Sequence, residues 1–352
     1  TDIIDMQIET FWFIALVFTL TMYVVLDGFD LGVGILHLTV AKTDDERRTL
    51  FNAIGPLWDG NEVWLIAAGG VLFFAFPVAY ASSFSGFYLP LMMILWLLMF
   101  RALAIEFRRH IENELWQQFW DVAFCVSSLG LVLLLGMALG NVLRGVVFGE
   151  DHFFFAPLWT DFTPTGEPGI IDWFTLSFGL LAVSALSGHG AAFVVMRTEG
   201  DLRDRAAGIY RKMFISTLAL SALCLGAASW IHPEYLDRFT HFPPSMLLPA
   251  GSLGCFVASR FFLLRSDRLP FVFSCLMIVL AGSASAAALF PKLLPGLSST
   301  GGLDAFNASS AAYGLQIGQY WWLFGMALVS VAFAYLYFVF RGKVGSQKRK
   351  HY

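Results

Sequence analysis

Asp27 and Asp30 stand three residues apart in the stretch VVLDGFDLGVG, inside an apolar run long enough to cross a membrane. On a helix, that spacing projects both carboxylates from roughly one side. A carboxylate at the centre of a bilayer costs about 2.5–3.5 kcal/mol on insertion scales, and acids kept there mark ion and proton pathways. The chemistry open to such a pair is proton relay. The bland alternative is packing, with each acid bonded to a neighbouring Arg, Ser or amide. Gly28, Gly32 and Gly34 flank the pair, and Gly28 with Gly32 forms the GxxxG spacing that lets helices approach closely.

A second acidic stretch, GPLWDGNEVW at 55–64, precedes the next apolar run and carries Trp58, Asp59, Asn61 and Glu62. Asp59 with Glu62 three residues on reads as a helix cap. Gathered with Asp27 and Asp30 at one membrane face, the same residues suit a proton entrance. Arg101, in FRALAIEFRR, could neutralise Asp30 or Asp59, or extend to phosphate headgroups as arginines at helix ends commonly do. Asp121 and Arg260 read as interface residues. His189, in LSGHGAAF, is the one histidine clearly within a span, and packing is its expected role. His37 ends the first helix, and His110, His152, His232, His241 and His351 fall in loops or the tail. No two histidines face each other at matching depth, as a bis-histidine haem needs. Nor is there a P-loop, a strand-bound GxGxxG, a GxSxG or an HExxH. The chain shows no catalytic centre of its own.

The elements that must position these residues follow from composition. Of 352 residues 57% are hydrophobic and 14% charged, far below the roughly 25% charge of soluble domains. With a net charge of −4 and no large basic block, nucleic acid is not an expected partner. Cys125, Cys224, Cys255 and Cys275 lie in apolar segments without a CxxC pair, which argues against zinc, attached haem or disulfides. The first apolar run lacks a basic leader and a small-residue cleavage site, so it reads as a retained helix.

Nine runs of spanning length lie near 11–36, 63–83, 87–105, 119–143, 174–196, 212–231, 245–264, 270–291 and 318–340. Alternating sides leaves Arg144, Arg238 and Lys292 alone, of the 22 Lys and Arg, outside, which sets the N-terminus periplasmic and the C-terminus cytoplasmic. Counting inward from Phe11, Asp27 then lies roughly 24 Å and Asp30 roughly 28 Å deep, in the cytoplasmic quarter of the membrane. A faint repeat relates LDGFDLGVG and KTDDERRTL to LSGHGAAF and RTEGDLRDRA, as two parallel four-helix units require. The expected fold is an all-α integral membrane protein with two four-helix bundles and one peripheral helix. Residues 1–145 form the first bundle, 146–292 a periplasmic loop and the second bundle, and 293–352 a loop, the peripheral ninth span and a basic tail.

The segments DGFDLGVG, TDDERRTLFNAIGPLWDGNEVWL, AAGGVLFFAFPVAYASSFSGFYLPL and FRALAIEFR resemble subunit II of the cytochrome bd-type quinol oxidases. The likeness is dense over the first 145 residues and continues in order through MRTEGDLRDRA and FPKLLP…NASS. It implies a bacterial inner-membrane complex that oxidises quinol and reduces O2 to water. In that family haems b and d and the main quinol site belong to subunit I. Subunit II is haem-free, packs on subunit I and helps form a proton path from the cytoplasm. The family's membrane acids fall on Asp30 and Asp59, with Asp27, Trp58 and Arg101 as matching neighbours and Glu62 beside them. His189 departs from the polar amide familiar at its position. The resemblance implies no cofactor or metal in this chain. A structural quinone or lipid and a small single-helix accessory subunit stay open. Two other readings stand beside it, a purely structural assembly subunit and an independent ion or metabolite transporter. The second needs midplane sites, whereas these acids lie near one face.

Overall fold

In hydrocarbon each backbone polar group must be satisfied within its own segment, so long apolar runs become helices. The computed structural model describes residues 2–149, 151, 153–160, 162–164, 166–297 and 301–345. His152, His351 and the basic tail residues Lys348, Arg349 and Lys350 lie outside the described residues. The chain runs through α1 (Asp2–Val40), α2 (Asp44–Ile54), α3 (Trp58–Ala75), α4 (Pro77–Gly86), α5 (Tyr88–Phe107) and α6 (Glu114–Arg144). It continues with α7 (Trp173–Arg197), α8 (Gly200–Ile231), α9 (Glu234–His241), α10 (Leu247–Phe262) and α11 (Leu269–Leu289). A small hairpin, β1 (Lys292–Leu294) and β2 (Leu303–Asp304), precedes α12 (Ala312–Val339).

Among the described residues, eight helices are long and apolar enough to span: α1, α5, α6, α7, α8, α10 with the turn before it, α11 and α12. The run expected as one span over 63–83 is instead two helices, α3 and α4, meeting at buried Phe76. Pro77 has no N–H to continue α3, and its fixed φ suits the first position of α4.

α1 is continuous to Val40 and packs against α3, α6, α7 and α11. Its crossing with α7 is closest at Gly32 and Gly190, where a Cβ on either glycine would run into the other's backbone. The two halves of the faint repeat therefore meet through their glycines. One end of the molecule carries Lys42, Arg47, Arg108 and Arg203, and is called here the basic end. There α2 is fixed by a capping box, Thr43 accepting from the Glu46 N–H while the Glu46 side chain bonds the Thr43 N–H. Below it Phe29 stacks on Phe193 at 4.2 Å, in a core shared by α1, α2, α5, α6, α7 and α8. The opposite end closes over a second core around Trp12, Phe76 and Leu294.

α12 is the peripheral element, with Leu315 its one buried residue. Its far end is nevertheless tied down. The Val344 N–H donates to the Arg197 carbonyl at 2.7 Å, Arg197 Nη1 donates to the Phe340 carbonyl at 2.5 Å, and Lys343 pairs with Asp267 at 2.8 Å.

Candidate functional site

Four helices bring their polar residues together inside the basic half: α1 with Asp27 and Asp30, α3 with Asn61 and Glu62, α5 with Arg101, and α12 with Tyr337. Asp27 and Arg101 are both fully buried. The guanidinium grips the carboxylate with two bonds, Nη1 to Oδ2 at 2.8 Å and Nη2 to Oδ1 at 2.6 Å. Nη2 also reaches Glu62 Oε2 at 3.1 Å. This planar fork is the geometry in which a buried Arg–carboxylate pair holds.

The sequence left Arg101 to neutralise Asp30 or Asp59, or to extend toward headgroups. It does neither, pairing with Asp27 and Glu62 at zero exposure. A buried guanidinium needs carboxylates on its own level, and on its level stand Asp27 and Glu62.

Asp30 is treated differently. Its Oδ2 accepts from Asn61 Nδ2 at 2.7 Å, and Asn61 Oδ1 accepts from the Tyr337 hydroxyl at 2.9 Å. Its Oδ1 is buried with no bonded partner, and Asp30 makes no ion pair among the described residues. Two carboxylates one turn apart therefore have opposite surroundings: one clamped by a cation, one held by a neutral amide.

Asp59 stands exposed in the first turn of α3, where a carboxylate suits the positive end of the helix dipole. It is not the cap. That position is Leu57, which makes no side-chain bond. Trp58 is half-buried against the core of the basic end. The structure thus gathers Asp27, Asp30, Asn61, Glu62 and Arg101, adds Tyr337, and leaves Asp59 and Trp58 at the margin. Nothing local in YLYFVF distinguishes Tyr337, which reaches Asn61 across 276 residues.

A second cluster corrects the reading of Asp121 as an interface residue. Asp121 is 1% exposed and accepts from Arg108 Nε at 2.5 Å and Arg47 Nη1 at 3.1 Å, with His37 Nε2 at 2.6 Å. Arg108 also reaches Asp44 at 2.8 Å, so α1, α2, α5 and α6 are stitched at their basic ends. Outside the spans the carboxyls of Glu46, Glu234 and Asp267 are depressed. Burial alone would push Glu46 up, but the Lys42 N–H and the Arg205 side chain hold it below the usual range. Asp267 is held down against burial by Lys343 and Arg203.

His189 is buried, as a packing residue should be. Its Nε2–H donates to the Val25 carbonyl at 2.9 Å, and its Nδ1 meets the Ser274 hydroxyl at 2.7 Å. The ring stacks on Phe271 at 5.0 Å. Both nitrogens are engaged, which does not fit an axial haem ligand.

A family model described as "Cytochrome bd terminal oxidase subunit II" matches residues 8–340. A "Cytochrome bd ubiquinol oxidase subunit 2" of Bacillus subtilis is 30% identical over 354 residues, covering 98% of this chain and 99% of that protein. A "Probable cytochrome oxidase subunit 2" of Haemophilus influenzae is 38% identical over 239 residues, 66% of this chain. That match spans 61% of the relative's length, so the likeness to it is partial. Among solved structures, the bd oxidase from Geobacillus thermodenitrificans superposes with a TM-score of 0.73 at 19% identity. The match covers 95% of this chain and 98% of that one, and it shows the fold.

Proposed function

Because the chain belongs to the family of cytochrome bd terminal oxidase subunit II, a family of multi-pass inner-membrane proteins, we propose that it is the haem-free partner of a haem-bearing subunit I and helps carry protons from the cytoplasm toward the site of O2 reduction. Quinol and O2 are then substrates of the complex, and haems b and d belong to subunit I. In this reading the chain crosses the membrane nine times, α3 and α4 together making the second crossing. The N-terminus is periplasmic, the basic end cytoplasmic, and the body divides into two four-helix bundles plus α12.

The observation that carries the proton role is the contrast between Asp27 and Asp30. Asp27 cannot take up a proton without releasing Arg101. Asp30 can, because it is bonded to an amide and keeps a second oxygen without a partner. Exposed Asp59, two residues ahead of Asn61 at the start of α3, lies between it and the basic face. Protons would enter by Asp59 and reach Asp30 beside Asn61, with Glu62 the next carboxyl inward, while Asp27 and Arg101 keep α1 and α5 in register.

The test is turnover of the purified complex carrying Asp30→Asn or Asp59→Asn. Quinol-driven O2 consumption should fall about tenfold or more, as when a proton-transfer group is removed, with haem b and d bands unchanged. Wild-type rates and proton uptake in both variants would refute the relay. The structural-subunit reading rests on the buried Asp27–Arg101 pair. It expects the same variants to lose haem content or yield before the rate per complex changes.

A further inference from the structure

At the end away from the arginine clusters, α1, α9 with the turn after it, and α11 line an open cavity of about 770 Å3. Its floor is apolar: Phe13, Ile14 and Val17 from α1 face Ala286 and Ala287 from α11, whose small side chains make the recess. Thr10 to Val17 spans about 10 Å along α1, so the cavity runs from the helix ends well into the apolar layer. Its rim is formed by α9, a short two-faced helix. The buried Tyr235 hydroxyl anchors α9 to the Leu143 carbonyl at 2.9 Å. Asp237 and Arg238 turn to the cavity from the same turn of α9, and neither makes an ion pair among the described residues. Glu234, also on the rim, is occupied with His232 at 2.8 Å.

We propose that this cavity holds one zwitterionic, ethanolamine-type glycerophospholipid, with acyl chain on the apolar floor, phosphate on Arg238 and ammonium on Asp237. The inference goes beyond the proton role and does not depend on it. The rim selects the headgroup. Besides Glu234, taken by His232, and His241, bonded to the Asp237 carbonyl, it sets the cation Arg238 beside the anion Asp237, matching a headgroup that carries both charges. An anionic headgroup would bring net negative charge against Asp237 and Glu234. A neutral quinone ring would leave Asp237 and Arg238 without charged partners. The one-ended polarity and the volume suit an amphiphile, since ligand cavities commonly measure about 300–1,000 Å3.

The experiment uses the detergent-purified complex of this chain with its haem-bearing partner, washed free of loose lipid and read by native mass spectrometry and lipid extraction. One ethanolamine phospholipid should stay bound per complex. Ala286→Trp, which fills the recess, should abolish its retention. Arg238→Ala, a rim substitution that leaves the core intact, should weaken rebinding of dioleoylphosphatidylethanolamine to stripped complex about tenfold, the loss of one charge-assisted bond. Haem bands serve as the folding control, and lipid mass is read independently of turnover. Retention of phosphatidylglycerol or a quinone instead would overturn the proposal. So would equal retention in both variants, or no retained lipid because a segment of the partner fills the groove.

Discussion

Replacing Asp27 by Asn removes the charge that Arg101 is folded around while keeping the side chain's size. In the native protein the guanidinium has zero exposure and two bonds of 2.8 and 2.6 Å to Asp27. Leaving one partner of a buried pair uncompensated costs about 3–5 kcal/mol. Glu62 remains at 3.1 Å and is 21% exposed, so it offsets part of the loss. The expected cost is at the lower end, about 3 kcal/mol. The double variant Asp27→Asn with Arg101→Met removes both charges of the pair, leaves the part-exposed Glu62 to water, and should lie within about 1.5 kcal/mol of wild type, as volume-matched replacements of buried pairs do. The assay is a double-mutant cycle on denaturant unfolding of the purified complex in mild detergent, with haem absorbance as the folding signal. A single variant indistinguishable from wild type would refute the buried-pair argument. So would a double variant costing the sum of the two singles, because coupling would then be absent.

Four further outcomes follow from the geometry. Gly190→Val would drive two methyls into the Gly32 backbone and should abolish assembly, whereas Gly208→Ala, with open space around its Cβ, should leave yield unchanged; membrane-fraction yields of both report the difference. Asp121→Asn leaves buried Arg108 with only the largely exposed Asp44 as a charge partner and should lower unfolding stability by about 3 kcal/mol, read by the same denaturant assay. Glu46 is depressed in the folded state, so the stability it adds is present above the ordinary glutamate value of about 4.3 and lost as pH falls through its lower folded value. Hydrogen exchange of α2 measured down that acid range should rise in wild type and show a flatter profile in Glu46→Gln. Tyr337→Phe removes the donor to Asn61 and should slow turnover several-fold without changing haem content.

What the sequence disclosed was the membrane class, the helical content and the acids themselves, because a charged residue in an apolar run is visible without coordinates. What it hid was partnership. The spacing of Asp27 and Asp30 predicts a shared side, and both are buried, yet nothing in VVLDGFDLGVG says which one faces Arg101. That is decided by the level at which α5 passes α1. Tyr337 was beyond reach for the same reason, since a tyrosine in a lipid-facing helix looks like any interfacial aromatic. Asp121 looked like a helix-end acid because its three partners, His37, Arg47 and Arg108, come from three other elements. The break at Pro77 was legible in principle, for proline ends a helix at the residue before it. The continuous hydropathy of 63–83 masked it.

The Tyr337–Asn61–Asp30 chain also imposes an order on biosynthesis. α1 is made before α3, α5 and α12 and carries Asp30 in before their side chains exist. Asn61 arrives within a few tens of residues, and Arg101 then settles Asp27. The hydroxyl that completes the arrangement around Asp30 sits in α12, 276 residues after Asn61. Until translation reaches it, the nascent chain holds an unfinished carboxyl site in the bilayer. Ribosome-stalled chains cut before α12 should therefore be the ones that quality-control proteases recognise.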